Sequence, residues 1–450
     1  MRFVRLTFGL AACLLAALAI SACGGGGSSS SSSGSTEAAA ETASGTGGEG
    51  ETSGEGTESG GSGISQETVA LTAKYVGVHP EKADMSLPPV EIGFINQSGS
   101  VPAFPEHLEV GKATEKFINE NLGGVEGHPL KLNICITQSE ADGQKCAAKF
   151  LANKNINIVQ MALSVEGNAS FYKTVGDQLQ TIVDNPGAEQ DYSSPNVWEL
   201  DGGGTGELYA VALPVKEKGI KNVTIVSSNN PAGKYTTEKI LAPQMEKFGA
   251  TVKTAYVSDT ATSPEYVSAL QAAGGQEAEM ISLIAAATPA CVSLYEGIKQ
   301  LGIEETPVST LFTCWGPPMP EITGGGPNGW PLASLSRYQG LESPESKAYR
   351  NAMETYGAEK YMMIGNTPKT FGDMLTIDRW ANEIGFENLT PDAFKEKIMS
   401  FRGPMWAVPG KIECGHNKVT IGVCGFETPV TVYNGSEWEA LPDVKAPAEG

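Results

Sequence analysis

Histidine is scarce in this chain of 450 residues: His79, His107, His128 and His416 are the only four, and they are scattered. Four scattered histidines argue against a histidine-rich metal centre, and no metal is expected. The sequence has no H-E-x-x-H and no G-x-S-x-G, so two common hydrolase arrangements are missing. It has no P-loop, and hence no site for a nucleotide to drive work. Basic residues are few, 31 Lys and Arg against 52 Asp and Glu, for a net charge of −21. That balance argues against sequence-independent binding to nucleic acid and against a polybasic grip on anionic lipid. No cofactor is expected.

The apolar stretch at residues 6–20 is short of the roughly 20 residues a spanning helix needs. With Arg2 and Arg5 before it, it has the form of an export signal. The run Ile20-Ser21-Ala22-Cys23-Gly24 resembles the bacterial lipobox, in which the cysteine thiol takes a lipid and becomes the new N-terminus. Residues 1–22 are therefore expected to be a lipoprotein signal peptide and Cys23 the lipidated residue, with more than one acyl chain needed for firm anchoring. Residues 24–63 follow as a low-complexity tract: 14 of its 40 residues are Gly, 11 are Ser and six are Glu, with no Lys or Arg. Such a tract has almost nothing to bury and cannot offset its ordering entropy. As a flexible coil it would reach about 35 Å, a spacer between a membrane surface and a soluble body.

The remaining body, residues 64–450, carries −17 once the two signal arginines and the six tether glutamates are set aside. Outside the cytoplasm it meets an oxidising environment where disulfides persist. Beyond Cys13 and Cys23 there are six cysteines, in near-neighbour pairs: Cys135 and Cys146, Cys291 and Cys314, Cys414 and Cys424. Six cysteines allow fifteen connectivities, and proximity favours the sequential one. The absence of C-x-x-C and the wide spacings fit structural zinc poorly.

Short β-rich runs recur at 90–95, 130–136, 156–161, 181–183, 223–226, 252–257, 280–284 and 308–312. Segments of helical periodicity lie between them, at 107–121, 237–248, 267–273 and 292–301. Asn230-Pro231, Ser263-Pro264 and Thr288-Pro289 place proline where a first helical turn accepts it. Strand–helix alternation with long crossovers implies parallel sheets covered on both faces. The expected fold is α/β, two doubly wound lobes with parallel central sheets. Residues 344–355, 368–384 and 391–401 read as further helices, and from Gly410 onward as short strands with a hairpin around 415–417.

Four stretches carry a resemblance. They are Glu91-Ile92-Gly93-Phe94-Ile95-Asn96-Gln97-Ser98-Gly99-Ser100; Gly111-Lys112-Ala113 through Asn119-Glu120-Asn121-Leu122-Gly123-Gly124-Val125-Glu126-Gly127-His128-Pro129-Leu130; Cys146-Ala147-Ala148-Lys149-Phe150-Leu151; and Lys221-Asn222-Val223-Thr224-Ile225-Val226 with the later Phe248-Gly249-Ala250-Thr251-Val252. Over residues 90–440 the body resembles the type I periplasmic binding proteins, in particular the leucine/isoleucine/valine-binding proteins of branched-chain amino acid ABC transporters. The resemblance implies a Venus-flytrap of two lobes joined by a hinge of three crossovers. Lobe one would be 90–213 with 338–405, lobe two 214–337 with 406–440, and 441–450 a tail. Residues 64–89, with a helix at 66–75, precede the family's usual start and either pack on lobe one or lengthen the tether.

Ligands of open α/β sheets sit at the carboxyl ends of the strands. That rule points to loops 97–104, 164–168 and 185–189 in lobe one, and 228–235, 285–289 and 313–317 in lobe two. The expected ligand contacts are Ser98, Phe104, Ser164, Val165, Ala188, Glu189, Asn230, Ala287, Thr288 and Trp315. By the resemblance, Ser164 stands at the serine that bonds a ligand carboxylate, Ala188 at a backbone contact and Phe104 at an aromatic first-loop position. Glu189 departs from the usual hydroxyl residue, Pro231 or Ala232 from a tyrosine, and Ala290 from the glutamate that pairs with a ligand ammonium. These departures count against an α-amino acid and toward a less charged or more aromatic solute. Trp315 either lines the cleft or covers the neighbouring disulfide, and 201–206 reads as a lead into a helix near the hinge.

The expectation is a monomeric, non-enzymatic, lipid-anchored receptor outside the bacterial cell membrane, capturing an amino acid or related amide or organic compound for an ABC permease and its ATPase. A receptor subunit of a signalling system and a lipoprotein hydrolase are the alternatives.

Overall fold

The computed structural model describes residues 63–447 apart from 286, 316, 317 and 419. The expected signal peptide, Cys23 and the tether up to residue 62 lie outside the described residues.

Five strands form the first sheet: β1 (Val90–Gln97), β2 (Leu130–Thr137), β3 (Ile156–Leu163), β4 (Gln180–Val183) and β5 (Val197–Trp198). Their order is β2-β1-β3-β4-β5 and every pairing is parallel. β1 and β3 are buried almost throughout, as strands covered on both faces must be. Phe94, Phe117, Phe371 and Trp380 belong to the core on one face, and Ile95, Phe150, Val159 and Phe171 to the core on the other. Helix Pro105–Asn121 comes close to β1 because Gly111 has no side chain: a Cβ there would stand 2.6 Å from Phe94 Cζ.

The second sheet holds β6 (Asn222–Ser228), β7 (Thr251–Val257), β8 (Met280–Ile284), β9 (Val308–Leu311), β10 (Pro331–Ala333), β11 (Glu427–Tyr433) and β12 (Trp438–Lys445). Its order is β12-β11-β10-β9-β8-β6-β7; β7 through β10 pair in parallel, and β11 and β12 add an antiparallel hairpin at the edge. Ile225, Leu283, Leu294, Trp315 and Tyr338 lie in its core.

The chain passes between the sheets three times. It leaves the first sheet after β5, returns after β10, and goes back to the second sheet as β11. On its return it supplies helices Pro344–Tyr356, Thr367–Ile384 and Pro391–Ser400, whose Tyr349, Phe371, Trp380 and Phe394 complete the first core. Helix Gln66–Val76 also packs there: Ser65 caps it through the Thr68 N–H, and Tyr75 bonds Thr376 at 2.7 Å and meets Trp406 edge-on.

The expected strands and hairpin around 415–417 are not formed; among the described residues of 410–426 there is only an isolated bridge from Val423 to Glu199. The backbone of this segment is spent elsewhere. Gly422 accepts from the Glu199 N–H, Cys424 donates to Glu199 and Gly425 to Asp201, so it braces the first crossover. The hairpin lies further on, at β11 and β12.

All three disulfides follow the sequential pairing: Cys135–Cys146, Cys291–Cys314 and Cys414–Cys424. No described helix is long and apolar enough to cross a membrane.

Candidate functional site

Between the carboxyl ends of the two sheets lies a cavity of about 90 Å³. Its first-lobe wall is Phe104, Leu163, Val165, residues 185–187 and Tyr192. Its second-lobe wall comes from the loop after β6 (Ser228, Asn230, Ala232, Gly233, Thr236) and the ends of β8 and β9 (Ile284, Ala285, Leu311, Phe312, Thr313). Glu207 and Leu208, on helix Gly203–Lys218 that follows the first crossover, complete it.

Two buried amides at the end of β1 hold the first wall. Asn96 Nδ2 donates to the Phe104 carbonyl at 2.8 Å, and Phe104 N–H returns to the Gln97 carbonyl at 3.0 Å. Gln97 Oε1 accepts from Val165 and Glu166 N–H at 2.8 and 3.1 Å, while its Nε2 donates to the Pro102 carbonyl at 2.8 Å. The loops after β1 and β3 are thus tied to one side chain. Asn185 donates to the Ala162 carbonyl and accepts from Asn366, and Asp191 Oδ2 accepts from Gly187 and Ala188 N–H at 2.9 and 2.8 Å.

On the opposite wall, Asn230 caps helix Pro231–Tyr235 through the Gly233 N–H at 2.7 Å and donates to Asp259 at 2.9 Å. Gly233 is required by space: a Cβ would stand 2.4 Å from the Ser228 carbonyl oxygen. The disulfide Cys291–Cys314 ties the residue that follows Phe312 and Thr313 to helix Thr288–Leu301. Tyr192 of the first lobe stacks on Tyr235 of the second, centroids 5.9 Å apart.

Of the residues expected from sequence, Phe104, Val165 and Asn230 line the cavity, and Ser98, Ser164, Ala188, Glu189, Ala287, Thr288 and Trp315 do not. Ser164 is buried behind the wall, its hydroxyl shared with Thr137 at 2.8 Å and donated to the Glu166 carbonyl at 2.7 Å. Ser98 accepts from Asn96. Ala188 is buried with its N–H on Asp191, and Glu189 is exposed. Thr288 donates to the Thr313 carbonyl at 2.9 Å, so it shapes the wall from outside. Trp315 is a core residue, 5.0 Å from the Tyr338 ring. Phe312, set from sequence beside the loop 285–288, lines the cavity, whereas Tyr192, Glu207 and Thr236 were not anticipated. Glu207 had one usable signal, an acidic residue just past the glycine run 202–204 at the end of the crossover.

Below the cavity lies a group of buried acids. Glu199 Oε2 accepts from Gly204 N–H at 2.9 Å and Asp201 Oδ1 from Gly203 N–H at 2.7 Å, so the crossover caps the helix that has no side-chain cap of its own. Lys369 Nζ lies 2.6 Å from Asp373 and 3.1 Å from Asp201. Burial works against the Lys369 charge, but Asp373, Asp201 and Asp184 together hold it protonated. Burial pushes the Asp201 carboxyl up to about 6, against the pull of Lys369. Glu207 is raised well above the usual carboxylate range by burial and then by Asp201 and Glu199. Two buried polar atoms of lining residues have no partner, Glu207 Oε1 and Thr313 Oγ1. Among the described residues no group of His, Cys, Asp and Glu is arranged to hold a metal.

No curated protein matches the chain in sequence. Solved structures do match in fold. A solute-binding protein of an ABC transporter from R. palustris, in complex with 4-hydroxybenzoate, superposes with a TM-score of 0.64 at 15% identity, over 79% of this chain and 96% of that one. A second, from Rhodopseudomonas palustris HaA2 with p-hydroxybenzoic acid, gives 0.65 at 16% identity over 80% and 98%. A leucine-binding protein from Thermotoga maritima gives 0.61 at 13% identity over 79% and 99%. The family described as periplasmic binding protein matches residues 89–412, most of the body. With two parallel-sheet lobes, three crossovers and a cavity between them, the chain belongs to the periplasmic binding protein family, in the type I branch that includes the branched-chain amino acid binding proteins of ABC transporters.

Proposed function

We propose that the chain is the solute receptor of an ABC importer, held outside the cell membrane by lipid on Cys23 and acting as a monomer without cofactor or catalysis. Proteins of this family are extracytoplasmic, bind small molecules and work with ABC permeases. The observation that carries the reading is the cavity walled by both lobes, since a solute there touches both and favours their closed arrangement. That arrangement is what the permease would receive; transport energy would come from its ATPase. Most of the lining is apolar. The solute is therefore largely apolar. Two structural neighbours hold hydroxybenzoates, which share an apolar ring but carry a carboxylate.

The test is thermal unfolding of the full chain against branched-chain and aromatic amino acids, amides, urea, amines, aromatic acids and sugars. A solute bound only by the folded form at a hundred times its Kd adds about 2.7 kcal/mol, which raises the midpoint by several degrees. One chemically related set of compounds is expected to do so. If no compound shifts the midpoint, the receptor reading fails.

A further inference from the structure

Resting on that reading of the cavity, we propose that Glu207 determines its specificity and that the solute is a small organic cation, an amine with an apolar body and no carboxylate. Glu207 is 4% exposed, lines the cavity, and its Oε1 has no hydrogen-bond partner. Buried carboxyl oxygens are rarely left unpaired, because each such atom forfeits its hydration with nothing in return. The other acids of the crossover are provided for: Asp201 and Glu199 hold helix N–H groups, and Asp373 holds Lys369. Glu199 Oε1 is likewise unpartnered, but Glu207 alone among these acids lines the cavity, and its carboxyl makes no hydrogen bond or ion pair.

The charges around it select the sign of that solute. No Lys, Arg or His is among the lining residues. The nearest cation of the cluster, Lys369, is engaged by Asp373 and Asp201. Burial, with Asp201 and Glu199 beside it, favours the neutral form of Glu207 in the empty cavity, and an ammonium next to it would draw it back to the carboxylate; Tyr192, the other ionisable residue of the lining, is neutral. A carboxylate would enter a lining with no cation to pair with its charge, whereas an ammonium would find Glu207. Phe104, Tyr192 and Phe312 add aromatic rings, whose faces attract cations. Leu163, Val165 and Ile284 receive the apolar remainder. An α-amino acid meets half of these conditions and is rejected by the other half.

Calorimetric titration of the full chain at neutral pH tests this with matched pairs, isobutylamine against isovalerate and benzylamine against benzoate. The amines are expected to bind more tightly than the carboxylates by about 10- to 100-fold, the range of one hydrogen bond to a charged group. Glu207→Gln is expected to weaken the amines by a similar factor. Carboxylates binding as tightly as amines would overturn the proposal, and so would a Glu207→Gln chain that binds amines as the parent does. If that variant does not fold, the matched pairs on the unaltered chain decide alone. If none of the four compounds binds while another solute of the wider panel raises the unfolding midpoint, this proposal falls and the receptor reading stands; if nothing binds at all, both fall.

Discussion

Lys369 and its acids show how the hinge side of the molecule is held. The lysine sits one helical turn before Asp373, on the helix Thr367–Ile384 that the returning chain brings to the first lobe. Its second partner, Asp201, belongs to the crossover that leaves that lobe. One buried cation thus fastens two separate passages of the chain. Removing it leaves Asp201, Asp373 and Asp184 buried without a counter-charge, the situation in which breaking a buried pair is most costly. Lys369→Met is expected to lower folding stability by about 3–5 kcal/mol, read from the urea midpoint. An unchanged midpoint would mean that the acids are already neutral and the ion pairs contribute nothing. Neither Lys369 nor Glu207 was legible in the sequence, because charged residues are ordinarily exposed and nothing local marks these two as buried.

Elements were far more legible than side chains. β1, β3, β6, β8 and β9 coincide with the short apolar runs, and helix Thr288–Leu301 begins at the Thr-Pro pair that marked its start. Six loops at the strand ends were expected to meet, and their residues or close neighbours do line one cavity, because the carboxyl-end rule follows from topology. What escaped was the two-residue β5, too short for periodicity, and the exchange of a hairpin at 415–417 for backbone bonds to Glu199 and Asp201, which depend on a partner 200 residues away. Ser164 and Trp315 lie one residue or one loop from the cavity, a margin that pattern cannot resolve. The disulfide Cys291–Cys314 joins the first turn of a helix to the turn after β9, across a separation of 23 residues. Loop-closure entropy assigns such a link about 3 kcal/mol. The Cys291→Ala, Cys314→Ala chain is expected to lose roughly that in chemical unfolding and to bind its solute less tightly, since Phe312 and Thr313 lose their brace. Full stability and affinity without the bond would show that packing alone holds this wall.

At the scale of the whole molecule, three crossovers, a shared acid cluster and the Tyr192–Tyr235 stack connect two lobes, each with its own core. Such a body can rock about its crossovers while each sheet stays intact, and a solute touching both walls shifts it toward closure. The account therefore makes a claim about location that does not depend on the identity of the solute. Amide hydrogen exchange of the full chain, with and without a saturating stabilising solute, tests it most directly. Exchange is expected to slow together in 163–165 and 185–187 of the first lobe and in 228–236, 284–285 and 311–313 of the second. Protection confined to one lobe, or lying wholly outside these segments, would contradict capture between the lobes.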